Sequence, residues 1–227
     1  MSSSIFPADS PRSVWSLPDL AAALGVPPRR MLSDWRAEGV SIDSRTLQPG
    51  EVFVCVRGDR TDGHRYIPNA LAAGAAALII EEQAALVDDL QLPSPSDPET
   101  ANVAVFMVPD GLAALQELAR FHRDRLSGKV LGVTGSNGKT SAKEMLAVLF
   151  SELFPDSLVA ATKGNLNNHF GVPLTLLTMP AETDFAVIEM GMNHAGEIER
   201  LSQIARPDHA LITSIAPVHV EYFPGTV

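Results

Sequence analysis

The stretch Gly132-Val133-Thr134-Gly135-Ser136-Asn137-Gly138-Lys139-Thr140-Ser141 constrains this chain more than any other part of it. The apolar run 129–133 leads in, and a helical pattern over 142–150 leads out. Strand, glycine-rich turn and helix together form the context of a phosphate-binding loop. The glycines let backbone N–H groups close on phosphate oxygens, and the amides at the following helix N-terminus add positive potential. In this reading Thr134, Gly135, Ser136, Asn137, Gly138, Lys139, Thr140 and Ser141 line a nucleotide. Lys139 reaches its terminal phosphates and the Thr140 hydroxyl ligates a magnesium ion. The common form GxxxxGK[ST] asks for glycine at position 133, where this chain has Val133, with glycines at 132 and 135 instead. The loop is therefore of a particular subtype, GxTGxNGKT.

Composition narrows the setting. The 227 residues, 45% hydrophobic and 19% charged, are ordinary for a globular protein and sufficient for one large domain or two small ones. A net charge of −10 argues against a nucleic-acid partner, while ATP binding stays open because a phosphate loop and magnesium act locally. The single cysteine, Cys55, sits in an apolar run, excludes an intramolecular disulfide and reads as a small buried hydrophobe in a reducing compartment. No apolar stretch approaches the ~18 residues of a membrane span, and residues 1–14 lack a signal-peptide pattern. The expectation is a cytoplasmic protein without membrane insertion.

In chain order, Ser16 caps a short helix with Pro18 in its first turn and Gly25 at its end. The β-branched run 52–56 follows a Pro49-Gly50 turn and reads as a strand, with Asp43, Ser44 and Arg45 at its edge. Arg45 can hold a pyrophosphate or carboxylate bidentately, or simply pair with Asp43 on the surface. The loop 58–64 ends in His64, which reads as a solvated loop histidine, with a ligand contact as the other reading. A helix over 66–73, a strand over 75–80, a loop over 91–101, a strand over 103–108 and a helix from Asp110 to about Ser127 complete this part. Residues 1–108 thus form a small α/β unit and 109–227 a nucleotide domain. Beyond the loop, short apolar strands at 158–161, 185–188 and 210–213 alternate with helical segments at 172–178 and 197–205. That alternation indicates a doubly wound, mainly parallel sheet.

Ligands of such sheets bind at the carboxyl ends of the strands. Those ends carry the phosphate loop, then Glu189, then the segment 214–221 with His219. Thr140, Glu189 and His219 are candidate magnesium ligands, the histidine being the less usual type. The loop Gly164-Asn165-Leu166-Asn167-Asn168 offers uncharged donors and acceptors suited to a sugar, peptide or phosphate, although Asn and Gly are also turn formers. Asn193 and His194 either cap the next helix or face the ligand.

These residues resemble the Mur ligase family, ATP-dependent amide-forming enzymes of bacterial peptidoglycan assembly. The loop 132–140 matches the family's GxTGxNGKT, and Glu189 and His219 fall on its metal positions. Asp43-Ser44-Arg45, Leu47-Gln48-Pro49-Gly50 and Gly58-Asp59-Arg60-Thr61-Asp62-Gly63-His64 are similar to the front domain that receives the UDP end of the substrate. Gly164-Asn165-Leu166-Asn167-Asn168, Gly171-Val172-Pro173-Leu174 and Glu189-Met190-Gly191-Met192-Asn193-His194 are similar to the member that joins D-alanyl-D-alanine to UDP-N-acetylmuramoyl-tripeptide, rather than the one adding the third peptide residue. The resemblance implies an ADP-forming ligase acting through an acyl phosphate, with ATP and Mg2+ required; a monomer is the expected state. It implies Lys139, Glu189 and His219 as catalytic residues, Asn165 and Asn168 on the substrate side, and Asp43, Ser44 and Arg45 at the UDP end. It also implies an N-terminal UDP-substrate domain over 1–108, a truncated central domain over 109–227 and an absent C-terminal ligase domain, with little or no turnover by this chain alone. A folate-glutamate ligase is disfavoured by the front domain, and a non-catalytic nucleotide-binding module is the reading from another class.

Overall fold

The computed structural model describes residues 13–58, 61–84, 92–94, 96–217 and 222. Its contacts group the chain into two compact units, Arg12–Leu118 and Ala119–Val227, with the division inside helix α3 (Gly111–Arg125).

The first unit opens with strand β1 (Val14–Ser16) and helix α1 (Leu17–Leu24). Ser16 and Asp19 form a reciprocal capping box, and Gly25 closes the helix in the left-handed region at φ 68°. Strand β1 pairs antiparallel with β2 (Arg36–Glu38), a ribbon absent from the sequence reading, and Trp15 is fully buried within it. Strands β3 (Val40–Ser41), β4 (Val52–Val54), β5 (Ala77–Glu81) and β6 (Ala104–Val108) form a parallel sheet in chain order. Its core packs Phe53, Cys55, Leu78 and Ile80 against Ile67 and Ala70 of helix α2 (Ile67–Ala72).

His64 departs from the expectation of a solvated loop residue. It is 3% exposed, in a 3-10 turn Gly63–Tyr66. Its Nε2 accepts the Glu81 N–H at 3.0 Å, so its Nδ1 carries the proton and donates to Asp62 Oδ1 at 2.5 Å. Glu81 in turn accepts the Gly111 N–H at 3.1 Å and pairs with Arg57 at 3.1 Å. The histidine is held because the backbone groups around the ends of β5 and α3 need partners once they are buried.

The second unit alternates β7 (Lys129–Thr134), α4 (Lys139–Leu153), β8 (Val159–Ala161), α5 (Gly171–Leu177), β9 (Phe185–Glu189), α6 (Glu197–Ala205) and β10 (His209–Ile212). The four strands are all parallel, in the order β10-β7-β9-β8. Val133, Val159, Ala161 and Val187 share one face of this sheet and pack on α4 through Ala147, Leu146 and Phe150. Val130, Ala160, Ala186 and Ile188, on the opposite face by strand alternation, are buried as well. Burial on both faces is why these strands read as continuous apolar runs. Edge strand β10 is the exception, since all four of its residues are exposed. From β7 the chain crosses to edge strand β8, returns through β9 beside β7, and then crosses to β10 on the other side of β7. The connections leaving β7 and β9 therefore run in opposite directions and open a crevice at the carboxyl ends of those strands.

Candidate active site

Strand β7 ends at Thr134, and the chain turns through Gly135 (φ 133°) and Gly138 (φ 83°) into α4. Gly138 is the N-cap and no side chain caps the helix, so the first-turn amides are presented forward as an anion site. Lys139 Nζ donates to the Gly135 carbonyl at 2.7 Å, folding the ammonium back over the loop.

The shape of the loop depends on the segment after β10. Ser136 N donates to Ser214 O at 2.9 Å, and Asn137 N donates to Ser214 Oγ at 3.0 Å. Thr213 Oγ1 donates to Asn137 O at 2.6 Å, while Ser136 Oγ and the Ala216 backbone exchange bonds at 3.0 and 2.9 Å. The amides of Ser136 and Asn137 are therefore engaged by this segment, and the donors directed at phosphate are those of the first turn of α4. A Cβ at Gly135 would lie 2.3 Å from Thr213 Oγ1 and 2.9 Å from Ser214 N, so glycine is required by packing as well as by φ.

Glu189 lies two residues beyond Val187 and faces the same side of the sheet, toward the head of α4. It is 1% exposed. Its Oε1 accepts from Thr140 Oγ1 at 3.3 Å and from Asn167 Nδ2 at 2.8 Å, and its backbone N–H is held by Thr162 Oγ1 at 2.9 Å. Its Oε2 is buried with no hydrogen-bond partner. A carboxylate oxygen so placed beside a threonine hydroxyl is suited to a hard cation, because desolvating it without compensation is costly. The donor set thus fits magnesium. Among the described residues, no group of three or more His, Cys, Asp or Glu side chains converges, so phosphate oxygens and water would complete the coordination. His219, the third metal candidate, lies outside the described residues.

Beside Lys139 opens a polar cleft of ≈ 340 Å³ lined by Asn165, Asn168, His169, Gly191 and Glu197 among others. The Asn168 side-chain oxygen accepts from the Phe170 and Gly171 N–H groups at 3.1 and 2.8 Å, so it shapes the start of α5. Asn193 and His194 donate their N–H groups to Glu197 Oε2 at 2.6 and 3.1 Å, which ties this loop to the first turn of α6; the N-cap itself is Gly196, with no side-chain cap, and Asn193 also lines the cleft. Those bonds, the Asn193 N–H first, hold the Glu197 carboxyl below its ordinary range. Asn167, passed over in favour of its neighbours, is the loop residue that touches Glu189.

Asp43, Ser44 and Arg45 belong to the first unit. Arg45 is paired bidentately with Asp43, Nη2 to Oδ2 at 2.5 Å and Nε to Oδ1 at 2.9 Å, while Ser44 is half-buried. The arginine's hydrogen bonds lower the Asp43 carboxyl pKa, and the pair lies on the surface with Arg45 85% exposed.

Residues 133–227 match the Mur ligase middle domain, and residues 36–123 match the Mur ligase family, catalytic domain. The UDP-N-acetylmuramoyl-tripeptide--D-alanyl-D-alanine ligase of Bacillus subtilis (strain 168) is 43% identical over 183 residues, which is 81% of this chain and 37% of that protein. A crystal structure of MurF from Acinetobacter baumannii superimposes with a TM-score of 0.79 at 32% identity, over 95% of this chain and 44% of that one. The MurF ligase of Thermotoga maritima in complex with ADP gives a TM-score of 0.65 at 36% identity, over 83% of this chain and 40% of that one. The chain thus spans well under half the length of the relatives it matches.

Proposed function

Since the chain belongs to the Mur ligase family, of which it carries the N-terminal and middle domains, we propose that the whole protein is the ligase joining D-alanyl-D-alanine to UDP-N-acetylmuramoyl-tripeptide. The observation that carries the chemistry is the pairing of Thr140 with Glu189 at the head of α4, where one buried carboxylate oxygen has no protein partner. The named relatives carry the substrate assignment.

In the proposed reaction, the terminal carboxylate of the tripeptide attacks the γ-phosphorus of ATP. An O–P bond forms, the bond to the β–γ bridging oxygen breaks, and ADP leaves. The amine of D-alanyl-D-alanine then attacks the acyl carbon, the C–O bond to phosphate breaks, phosphate departs with the electron pair, and the nitrogen gives up a proton. Bringing a carboxylate to a polyphosphate opposes like charges, so positive potential must be fixed in place beforehand. Lys139 and the first-turn amides of α4 supply it. Thr140 and Glu189 would hold magnesium, which screens the phosphate charge when bound, and we assign His219 to a second metal or its water shell. Asn165 and Asn168, lining or bordering the cleft beside Lys139, face the substrate in this reading. Asp43, Ser44 and Arg45 take the UDP end, with residues 1–108 as the UDP-substrate domain and 109–227 as the ATP domain. The Arg45 guanidinium suits a diphosphate because its planar fork already binds a carboxylate bidentately. The buried lone cysteine supports a reducing, cytoplasmic setting, and we propose a monomer.

Calorimetry with MgATP tests the nucleotide half. Lys139→Ala should lower affinity at least tenfold, and unchanged binding would remove the loop from the mechanism. The substrate half is tested in the full-length protein by ADP release. Turnover should require UDP-N-acetylmuramoyl-tripeptide with D-alanyl-D-alanine, and turnover with the dipeptide and a single amino acid instead would assign the neighbouring ligase activity.

A further inference from the structure

Lys143 is fully buried on α4, one turn beyond Lys139. Lysine is almost never found there unless it is paired, because its ammonium must leave water. Its Nζ donates to the Thr162 carbonyl at 2.8 Å and to Glu144 Oε1 at 2.7 Å. Thr162 follows β8 directly, its N–H donates to Val187 O at 3.0 Å, and its hydroxyl accepts the Glu189 N–H at 2.9 Å. A continuous path therefore runs from α4 through Lys143 and Thr162 to the backbone of Glu189. A second path joins the same helix to the same residue through the Thr140 hydroxyl, at 3.3 Å from the Glu189 carboxylate.

We infer that Lys143 is a positioning residue for the cation site, tying the end of β8 to α4 and so setting the separation of Thr140 from Glu189. The inference rests on the magnesium reading of those two residues. An apolar side chain of similar volume would fill the same space without desolvating an ammonium. What it cannot do is donate to the Thr162 carbonyl, and cation affinity depends closely on how neighbouring groups orient the ligands. Lys143 touches neither the carboxylate nor the phosphate-facing amides, so its effect should fall on metal binding and leave metal-free nucleotide binding alone.

The test is Mn2+ binding to the 227-residue chain saturated with ADP, followed by electron paramagnetic resonance, beside ADP affinity in excess chelator. Lys143→Met should weaken Mn2+ by roughly tenfold or more, as outer-sphere substitutions at metal sites do, with chelator-phase ADP affinity within twofold of the parent. Thr162→Val keeps the carbonyl that Lys143 uses and removes the hydroxyl that Glu189 uses. It carries the same expectation, and parent-like Mn2+ affinity in folded Thr162→Val breaks the path from Lys143 to Glu189 and overturns the inference even if Lys143→Met melts below the assay temperature. Parent-like Mn2+ affinity in a folded variant overturns the role of Lys143. If the parent chain binds ADP but no Mn2+, the cation site itself falls and this inference with it, so the two failures are told apart.

Discussion

The Asn167 side-chain amide donates to one oxygen of Glu189 at 2.8 Å while the other oxygen, buried, meets no donor. The carboxylate is held from one side and left open on the other, the condition for a ligand that must be oriented before its cation arrives.

Replacing that amide by a second carboxylate tests this directly. Asn167→Asp sets two like charges in contact and should cost about 2 kcal/mol of stability without divalent ions. Millimolar Mg2+ should recover most of the loss by neutralising the pair. Thermal denaturation with and without Mg2+ reads this, and a deficit indifferent to Mg2+ would argue that no cation sits there.

Gly135→Ala should be poorly tolerated for two separate reasons. The residue has φ 133°, and a methyl group there would meet Thr213 Oγ1 at 2.3 Å. A loss of about 2 kcal/mol in urea unfolding is expected, together with loss of MgATP binding in calorimetry. Gly164→Ala, at a positive φ but with nothing within 4 Å of the added methyl, should lose less stability and supplies the control for backbone strain alone.

The start of β7 carries a pH-dependent tie. Asp208 accepts the Val130 N–H at 2.9 Å and pairs with Lys129 at 3.0 Å and Arg123 at 2.9 Å. The Val130 N–H first, then Lys129, hold its pKa down to about 2. A folded-state pKa below the unfolded value of about 4 contributes stability above pH ~4, and that contribution is lost as pH falls toward 2. Asp208→Asn should therefore be less stable by about 1 kcal/mol at neutral pH, discounted for its solvent exposure, and the gap should close by pH 2. Urea midpoints across that range measure it.

Cys55 gives a built-in reporter of the first unit. It is fully buried, and burial, followed by the negative charges of Asp62 and Glu81, pushes its thiol pKa well up. A disulfide reagent at pH 8 should label the native chain at least ~100-fold more slowly than the denatured chain. Fast native labelling would show that the β4–β5 core opens readily.

The parts legible in the sequence were those where local chemistry and burial agree. The phosphate loop, the cap at Ser16 and the apolar strands β5, β7 and β9 belong to that group. Helix α4 shows why the rest was not. Its apolar residues lie on both faces, Leu146, Ala147 and Phe150 against the sheet and Met145 and Leu149 72% and 48% exposed, while Lys143 is buried, so hydrophobic periodicity does not single out the packed face. Strand β10 reads as buried yet lies exposed at the sheet edge. The β1–β2 ribbon escaped because Arg36-Ala37-Glu38 is too short and polar to show a strand period. Asn167 and Asn168 are adjacent and chemically identical, and only the turn between β8 and α5 decides which one meets Glu189. The hydroxyl of Ser214 carries no motif of its own, and its role appears only when β10 pairs with β7.

That last relationship bears on the order in which the molecule is made. Ser136 and Ala216 bond across a separation of 80 positions, and Asn137 and Ser214 across 77. Contacts between β7 and α4 are short in sequence and close early, whereas these must wait for the chain to return beside β7. The nascent β7–α4 segment therefore has the glycines and the lysine of a phosphate site before it has the site's shape. Nucleotide binding during refolding should appear with the slow, long-range phase, so that ATP selects chains whose sheet is already closed on β10.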